Sequence, residues 1–112
     1  MADERLEQEV ALLHEKICQG IGDVKRILIL YALARNPRCV NELVEELEMP
    51  QSTVSRHLKI LRERTLVNTE RHGAQIIYSI ADMRLIKALD LMRAVLADLL
   101  RDQAAVLNDD ID

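Results

Sequence analysis

Apolar residues recur along this chain at two periods, and the change from one to the other divides it into elements. Leu6, Val10, Leu13 and Ile17 stand at helical steps and predict a helix from about Asp3 to Gln19, with Asp3, Glu4 and Glu7 at its positive dipole end and Gly20 ending it. A second helix is expected from about Asp23, a suitable cap, to Arg35, with Asn36-Pro37 as the stop. It is apolar over most of its circumference (Val24, Ile27, Leu28, Ile29, Leu30, Tyr31, Leu33) and reads as the central core helix. Val40, Leu43, Val44 and Leu47 then predict a short helix that leads to a turn at Met49-Pro50, where Pro50 suits the first turn of the next helix. That next helix starts at Gln51 and places Val54, Leu58 and Leu61 on one face at i, i+4, i+7 spacing.

From Leu66 the period shortens. Two extended runs, Leu66 to Glu70 and Gln75 to Ile80, flank a turn on His72-Gly73, as a β-hairpin requires. Helical spacing returns over about Asp82 to Leu100, with Leu85, Leu89, Met92, Leu96 and Leu99 in one seam and Ile86, Val95 and Leu100 beside it. The order predicts a mainly α fold with a small β-hairpin, a winged helix-turn-helix, over residues 1–100, followed by an acidic tail over 101–112. A small domain has one interior, so apolar seams on both the first and the last helix predict a homodimer formed through them.

Composition narrows the class. With 112 residues, 49% of them hydrophobic and no Phe or Trp, the chain suits one domain with a modest aliphatic core. No apolar run approaches the roughly 20 residues that span a bilayer, and Met-Ala-Asp-Glu-Arg lacks the layout of a signal peptide, so no membrane association and a cytoplasmic location are expected. In that compartment the two cysteines should be reduced thiols. The net charge of −4 opposes nucleic-acid binding at first sight, but its distribution does not. Between Arg56 and His72 stand Arg56, Lys59, Arg62, Arg64 and Arg71 against only Glu63 and Glu70, a local +3. The negative charge gathers at Asp3 to Glu15, Glu42 to Glu48 and Asp98 to Asp112.

The polar face of the helix after the turn carries Gln51, Ser52, Thr53, Ser55, Arg56 and Lys59, with His57 beside them. These are the hydrogen-bonding and cationic types that meet base edges and phosphates in a major groove. Arg71 and His72 at the hairpin tip are placed to touch flanking backbone or minor groove. All nine are candidate DNA-binding residues, and double-stranded DNA is the expected partner. A winged-helix protein-interaction module, using the acidic stretch Glu42 to Glu48, is the rival reading. No catalytic constellation with a Gly-rich loop accompanies either, so an enzyme is not expected.

Val54-Ser55-Arg56-His57-Leu58-Lys59-Ile60-Leu61, followed by Leu66-Val67 and Arg71-His72-Gly73, resembles the ArsR/SmtB family of bacterial metal- and metalloid-responsive repressors, over about Gly22 to Leu100. The resemblance implies a dimeric repressor whose recognition helices enter successive major grooves and whose effector weakens DNA binding. Two departures matter. The family's zinc sensors open the last helix with Asp-x-His, where this chain has Asp82-Met83-Arg84, and no histidine follows His72, so no closing-helix zinc site is expected. Its cadmium, lead and arsenic sensors resemble Leu-Cys-Val-Cys-Asp-Leu at the helix before the recognition helix, where this chain reads Arg38-Cys39-Val40-Asn41-Glu42-Leu43, keeping one cysteine of two.

Cys39, beside Arg38 and near a helix N-terminus, has surroundings that stabilise a thiolate. Cys18 and His14, four residues apart, share a helical face as a ligand pair. Cys18 and Cys39 would serve either a thiophilic ion such as As(III) or a reversible disulfide; the other reading makes each a small buried hydrophobe. The sequence thus predicts a repressor of an inverted-repeat operator, released by a metalloid or oxidant at its thiols, or an ArsR-like repressor without a small-molecule effector.

Overall fold

The computed structural model describes the backbone of residues 3–111 and the side chains of residues 3–106. Its elements are α1 (Glu4–Leu13), α2 (Val24–Arg35), α3 (Val40–Leu47), α4 (Gln51–Glu63), β1 (Val67–His72), β2 (Gln75–Ile80) and α5 (Arg84–Ile111). By contact these fall into two units, Met1–Asp82 and Met83–Asp112.

In the first unit Asp3 caps α1 by accepting the Arg5 N–H at 3.0 Å. The α-helix stops at Leu13, short of the expected Gln19, because His14–Cys18 widens into a π turn. That turn is closed by the Gln19 N–H donating to the His14 carbonyl at 2.9 Å. Gly20 follows at a close approach: a Cβ there would sit 2.6 Å from Leu66 Cδ1 and 2.9 Å from the Lys16 carbonyl oxygen. Asp23 caps α2 as expected, accepting the Lys25 N–H at 2.8 Å.

Helix α2 buries Ile29, Leu30, Ala32 and Leu33 and packs against α3, α4 and β2. It is core on one side only. Val24 and Leu28, expected inside, are exposed, on a stripe of the helix that no other described residue of the first unit covers. In α3 the cap is Cys39, whose N–H donates to the Glu42 carboxylate at 3.1 Å, completing a capping box with a thiol in place of the usual hydroxyl. Glu48 ends α3 in the left-handed region (φ 52°), which turns the chain toward α4. Pro50 stands one place earlier than expected, as the N-cap of α4, and its carbonyl accepts the Val54 N–H at 3.1 Å.

The predicted face of α4 is the centre of this core. Val54, Leu58 and Leu61 are fully buried with Ile29, Leu30 and Leu43, and each such side chain contributes roughly 1.5–3 kcal/mol of transfer free energy. A Schellman motif ends the helix. Thr65, at φ 61°, donates its N–H to the Arg62 carbonyl at 3.0 Å, and the Leu66 N–H donates to the Leu61 carbonyl at 2.9 Å. Strands β1 and β2 pair antiparallel from Val67↔Ile80 to His72↔Gln75. A two-residue loop joins them, with Gly73 at φ 63° in its first position, a glycine-first pattern suited to the strand twist. Arg38 pairs with Tyr78 through two backbone hydrogen bonds of 3.0 and 2.8 Å, fastening the root of the hairpin to the link between α2 and α3.

The second unit is α5, 28 residues and about 42 Å long. It starts two residues after the expected Asp82 and runs on through the segment read as a tail. The side chains from residue 107 onward and Asp112 lie outside the described residues, as do Met1 and Ala2. Leu91, Met92, Val95, Leu96, Leu99, Leu100 and Val106 on this helix are exposed. No helix among the described residues is long and apolar enough to cross a membrane.

Candidate nucleic-acid interface

The short link from Glu48 to Pro50 fixes α4 by its buried face, and that decides what the other face presents. Gln51, Ser52, Ser55, Arg56 and Lys59 are all exposed, on one side of the helix. Thr53 is half-buried at the edge of this surface. Arg71 and His72 are exposed at the tip of the hairpin, where the Arg71 Nε–H donates to the Gly73 carbonyl at 3.4 Å and His72 Nε2 lies 3.3 Å from a Glu70 carboxylate oxygen. A convex helix face of short hydrogen-bonding and cationic side chains next to a hairpin that carries Arg71 at its tip is a surface that can enter a major groove and hold the adjacent backbone.

His57 does not belong to this surface. It is only 4% exposed and points to the interior, three residues after Val54 and beside Leu58, so it has no access to a groove. Its Nδ1 lies 3.2 Å from a terminal nitrogen of Arg26. A guanidinium only donates, so Nδ1 accepts and the ring proton resides on Nε2. Burial holds this imidazole below the ordinary histidine pKa; Asp23 opposes the shift, while Arg26, Arg56 and Lys25 add to it. The same guanidinium donates through Nε to the Gly20 carbonyl at 2.6 Å and through its other terminal nitrogen to the Gln19 carbonyl at 3.1 Å. Arg26 was not among the residues expected at the site. The signal was there, a cation within the most apolar helix of the chain, but its partner lies 31 positions away.

The thiols are separated by environment. Cys39 is 6% exposed and in hydrogen-bonding contact with the Glu42 carboxylate, whose pKa is lowered first by the Cys39 N–H and then by the thiol. Of the two readings of Cys39, reactive thiolate or small buried hydrophobe, the structure agrees with burial, because the N-cap position turns its side chain inward. Cys18 is exposed, at the end of the π turn that also contains His14. Both thiols are free, and α3 makes no contact with that turn. Among the described residues no three His, Cys, Asp or Glu side chains come together as a metal site. An As(III) ion would thus find only Cys18 open to it in one chain.

Ion pairs near the turn are structural. Arg35 and Arg38 both pair with Glu46, tying α2 to α3. Arg64 donates to the Glu15 carbonyl and, at 3.4 Å, to the Gln19 side-chain oxygen.

Residues 23–69 match the family described as bacterial regulatory protein, arsR family. The chain is 47% identical over 70 residues to the HTH-type transcriptional repressor SmtB of Mycobacterium tuberculosis, a match that takes in 62% of this chain and 52% of that protein. It thus spans about half the length of this relative. It is 39% identical over 85 residues to the HTH-type transcriptional regulator Rv0081 of the same organism, covering 75% of each. The crystal structure of Rv0081 superposes with a TM-score of 0.73 at 28% identity, over 92% of this chain and 99% of that one. The homodimeric winged helix-turn-helix DNA-binding domain Mb0332 of Mycobacterium bovis shares the fold, with a TM-score of 0.76 at 23% identity over 90% of this chain and 93% of that domain. These relatives are described as transcriptional regulators, and none as an enzyme.

Proposed function

We propose that this chain, which belongs to the arsR family of bacterial regulatory proteins and is not an enzyme, is a homodimeric, DNA-binding transcriptional repressor acting in the cytoplasm. One observation carries the reading: α4 buries Val54, Leu58 and Leu61 completely while Gln51, Ser52, Ser55, Arg56 and Lys59 all face solvent. Those five side chains read or grip a major groove. Thr53 supports them from the edge, and Arg71 and His72 hold the flanking backbone or minor groove. Two-fold symmetry makes the operator an inverted repeat with half-sites about one helical turn apart. The exposed seams on α1 (Leu6, Val10, Leu13) and α5 supply the dimer contact.

Release from the operator occurs through a thiol-directed effector, a metalloid such as arsenite or an oxidant, acting first at Cys18. Exposure supports Cys18, and burial argues against Cys39 as the first point of attack. The second reading, a repressor without a small-molecule effector, rests on the lack of a third ligand beside Cys18 among the described residues. Fluorescence anisotropy with labelled duplex from the protein's own upstream region tests both. Wild type binds in reductant and is released by arsenite or a mild oxidant, whereas Cys18→Ser binds and is not released. Release of the Cys18→Ser protein would move the switch elsewhere, and indifference of wild type to both reagents would leave a repressor without it. Absence of binding would favour the protein-interaction module.

A further inference from the structure

We propose that Arg26 is a positioning residue for DNA recognition: by holding the Gln19 and Gly20 carbonyls and His57 Nδ1 at once, its guanidinium sets the angle at which α4 stands against the core. The inference rests on the DNA-binding reading above. It starts from what Arg26 joins. Two of its three acceptors belong to the segment that leaves the π turn, and the third is on α4, so one planar group ties two segments that are far apart in sequence. The guanidinium has no acceptor capacity and a fixed fork of donors, so these bonds constrain direction as well as distance.

A second observation places the same segment against the other end of α4. Gly20 is buried so tightly against Leu66, the residue that completes the Schellman motif of α4, that a Cβ there would force its neighbours to shift. The segment from Gln19 to Gly20 is therefore a ledge on which α4 rests, with Arg26 as the fastening. Helix α4 is one unbroken helix from Gln51 to Glu63, so a shift at His57 on its inner side is carried to Ser55, Arg56 and Lys59 on its outer side. Bidentate contacts to base edges weaken steeply with misalignment, so sequence reading depends on this fastening more than phosphate attraction does.

The proposal separates from a direct DNA contact and from a merely structural role by four readouts on the full chain. His57→Leu should bind the upstream duplex roughly tenfold more weakly, the size of one charge-assisted hydrogen bond, and Arg26→Gln, which gives up the guanidinium's bonds to Gln19, Gly20 and His57 together, at least as much. Affinity for a scrambled duplex and the slope of affinity against salt should stay at wild-type values, whereas loss of a phosphate contact would lower that slope by about 0.9. His57→Asn, whose Oδ1 replaces Nδ1 as acceptor, should restore specific binding. Lowering the pH below the ordinary histidine range should weaken specific binding by wild type but not by His57→Asn. Protonated His57 would face Arg26 and Lys25 from α2 and Arg56 on its own helix, with Asp23 alone opposed. Amide exchange in α4 should quicken in Arg26→Gln while the global melting transition is kept. Specific binding by Arg26→Gln equal to wild type, or a reduced salt slope, would overturn the proposal. Were wild type itself unable to tell the upstream duplex from the scrambled one, the DNA reading would fail first. Exchange would then decide the fastening alone: unchanged α4 amides in Arg26→Gln would overturn it, and faster ones would uphold it.

Discussion

Helices α4 and α5 carry the same kind of pattern, apolar seams at steps of three and four, yet they meet opposite fates. In α4 the seam is finished inside the chain: Val54, Leu58 and Leu61 have no exposed surface. In α5 the seam from Met92 onward is open, with Leu96 54% and Leu99 57% exposed. Periodicity therefore specifies a helix and its apolar side without specifying whose atoms cover that side. The closed seam frees the other face of α4 for a partner that is polar and charged. The open seam on α5, like that on α1, calls for an apolar partner, and a second copy of the chain offers a matching one.

The sharpest way to break the contrast is to truncate one residue in each seam. Leu58→Ala should cost about 2–5 kcal/mol and lower the melting temperature at every protein concentration, because the cavity lies within one chain. Leu96→Asp should act differently. Sedimentation equilibrium should show a dimer for wild type and a monomer for Leu96→Asp, with far-ultraviolet circular dichroism nearly unchanged, since a carboxylate in an apolar interface is strongly disfavoured. A Leu96→Asp protein that stays dimeric would place the partner contact elsewhere. On the polar side, Arg56→Ala should weaken operator binding by about 1–3 kcal/mol if the side chain reads a base, measured by anisotropy against wild type. An unchanged titration would remove Arg56 from the interface.

The smallest effect is one of pH. Burial lowers the His57 pKa, so the folded protein disfavours the protonated ring that the unfolded chain accepts readily. Stability should be level above the ordinary histidine value of about 6.5 and should fall as the pH drops below it toward the folded value. Urea melts of wild type and His57→Asn across that range test the sign. A stability that rises on acidification, or the same slope in both proteins, would contradict it.

Much of this was legible in the sequence because the signals are local. Asp23 as a cap, the α4 seam, the hairpin and the glycine at its turn each depend on residues within a few positions of one another. Two further local signals bear on the site. His57 stands three residues after Val54 and next to Leu58, a spacing that belongs to the buried face, and Cys39 with Glu42 has capping-box spacing that turns the thiol inward. Other features have no local signature. The π turn after Leu13 is a choice between backbone hydrogen bonds that the side chains of His14–Cys18 do not announce. The reach of Arg26 to His57, and the close approach of Leu66 to Gly20, exist only once distant segments are packed together.

If the outer face of α4 meets duplex DNA while its inner face stays in the core, backbone amide shifts of the labelled protein will show it as upstream duplex is added. The largest changes should fall at Gln51, Ser52, Ser55, Arg56 and Lys59 and at the hairpin tip, with Ile29, Leu30 and Leu33 little moved. Changes confined to Glu42 to Glu48, or none at any ratio of duplex to protein, would contradict it.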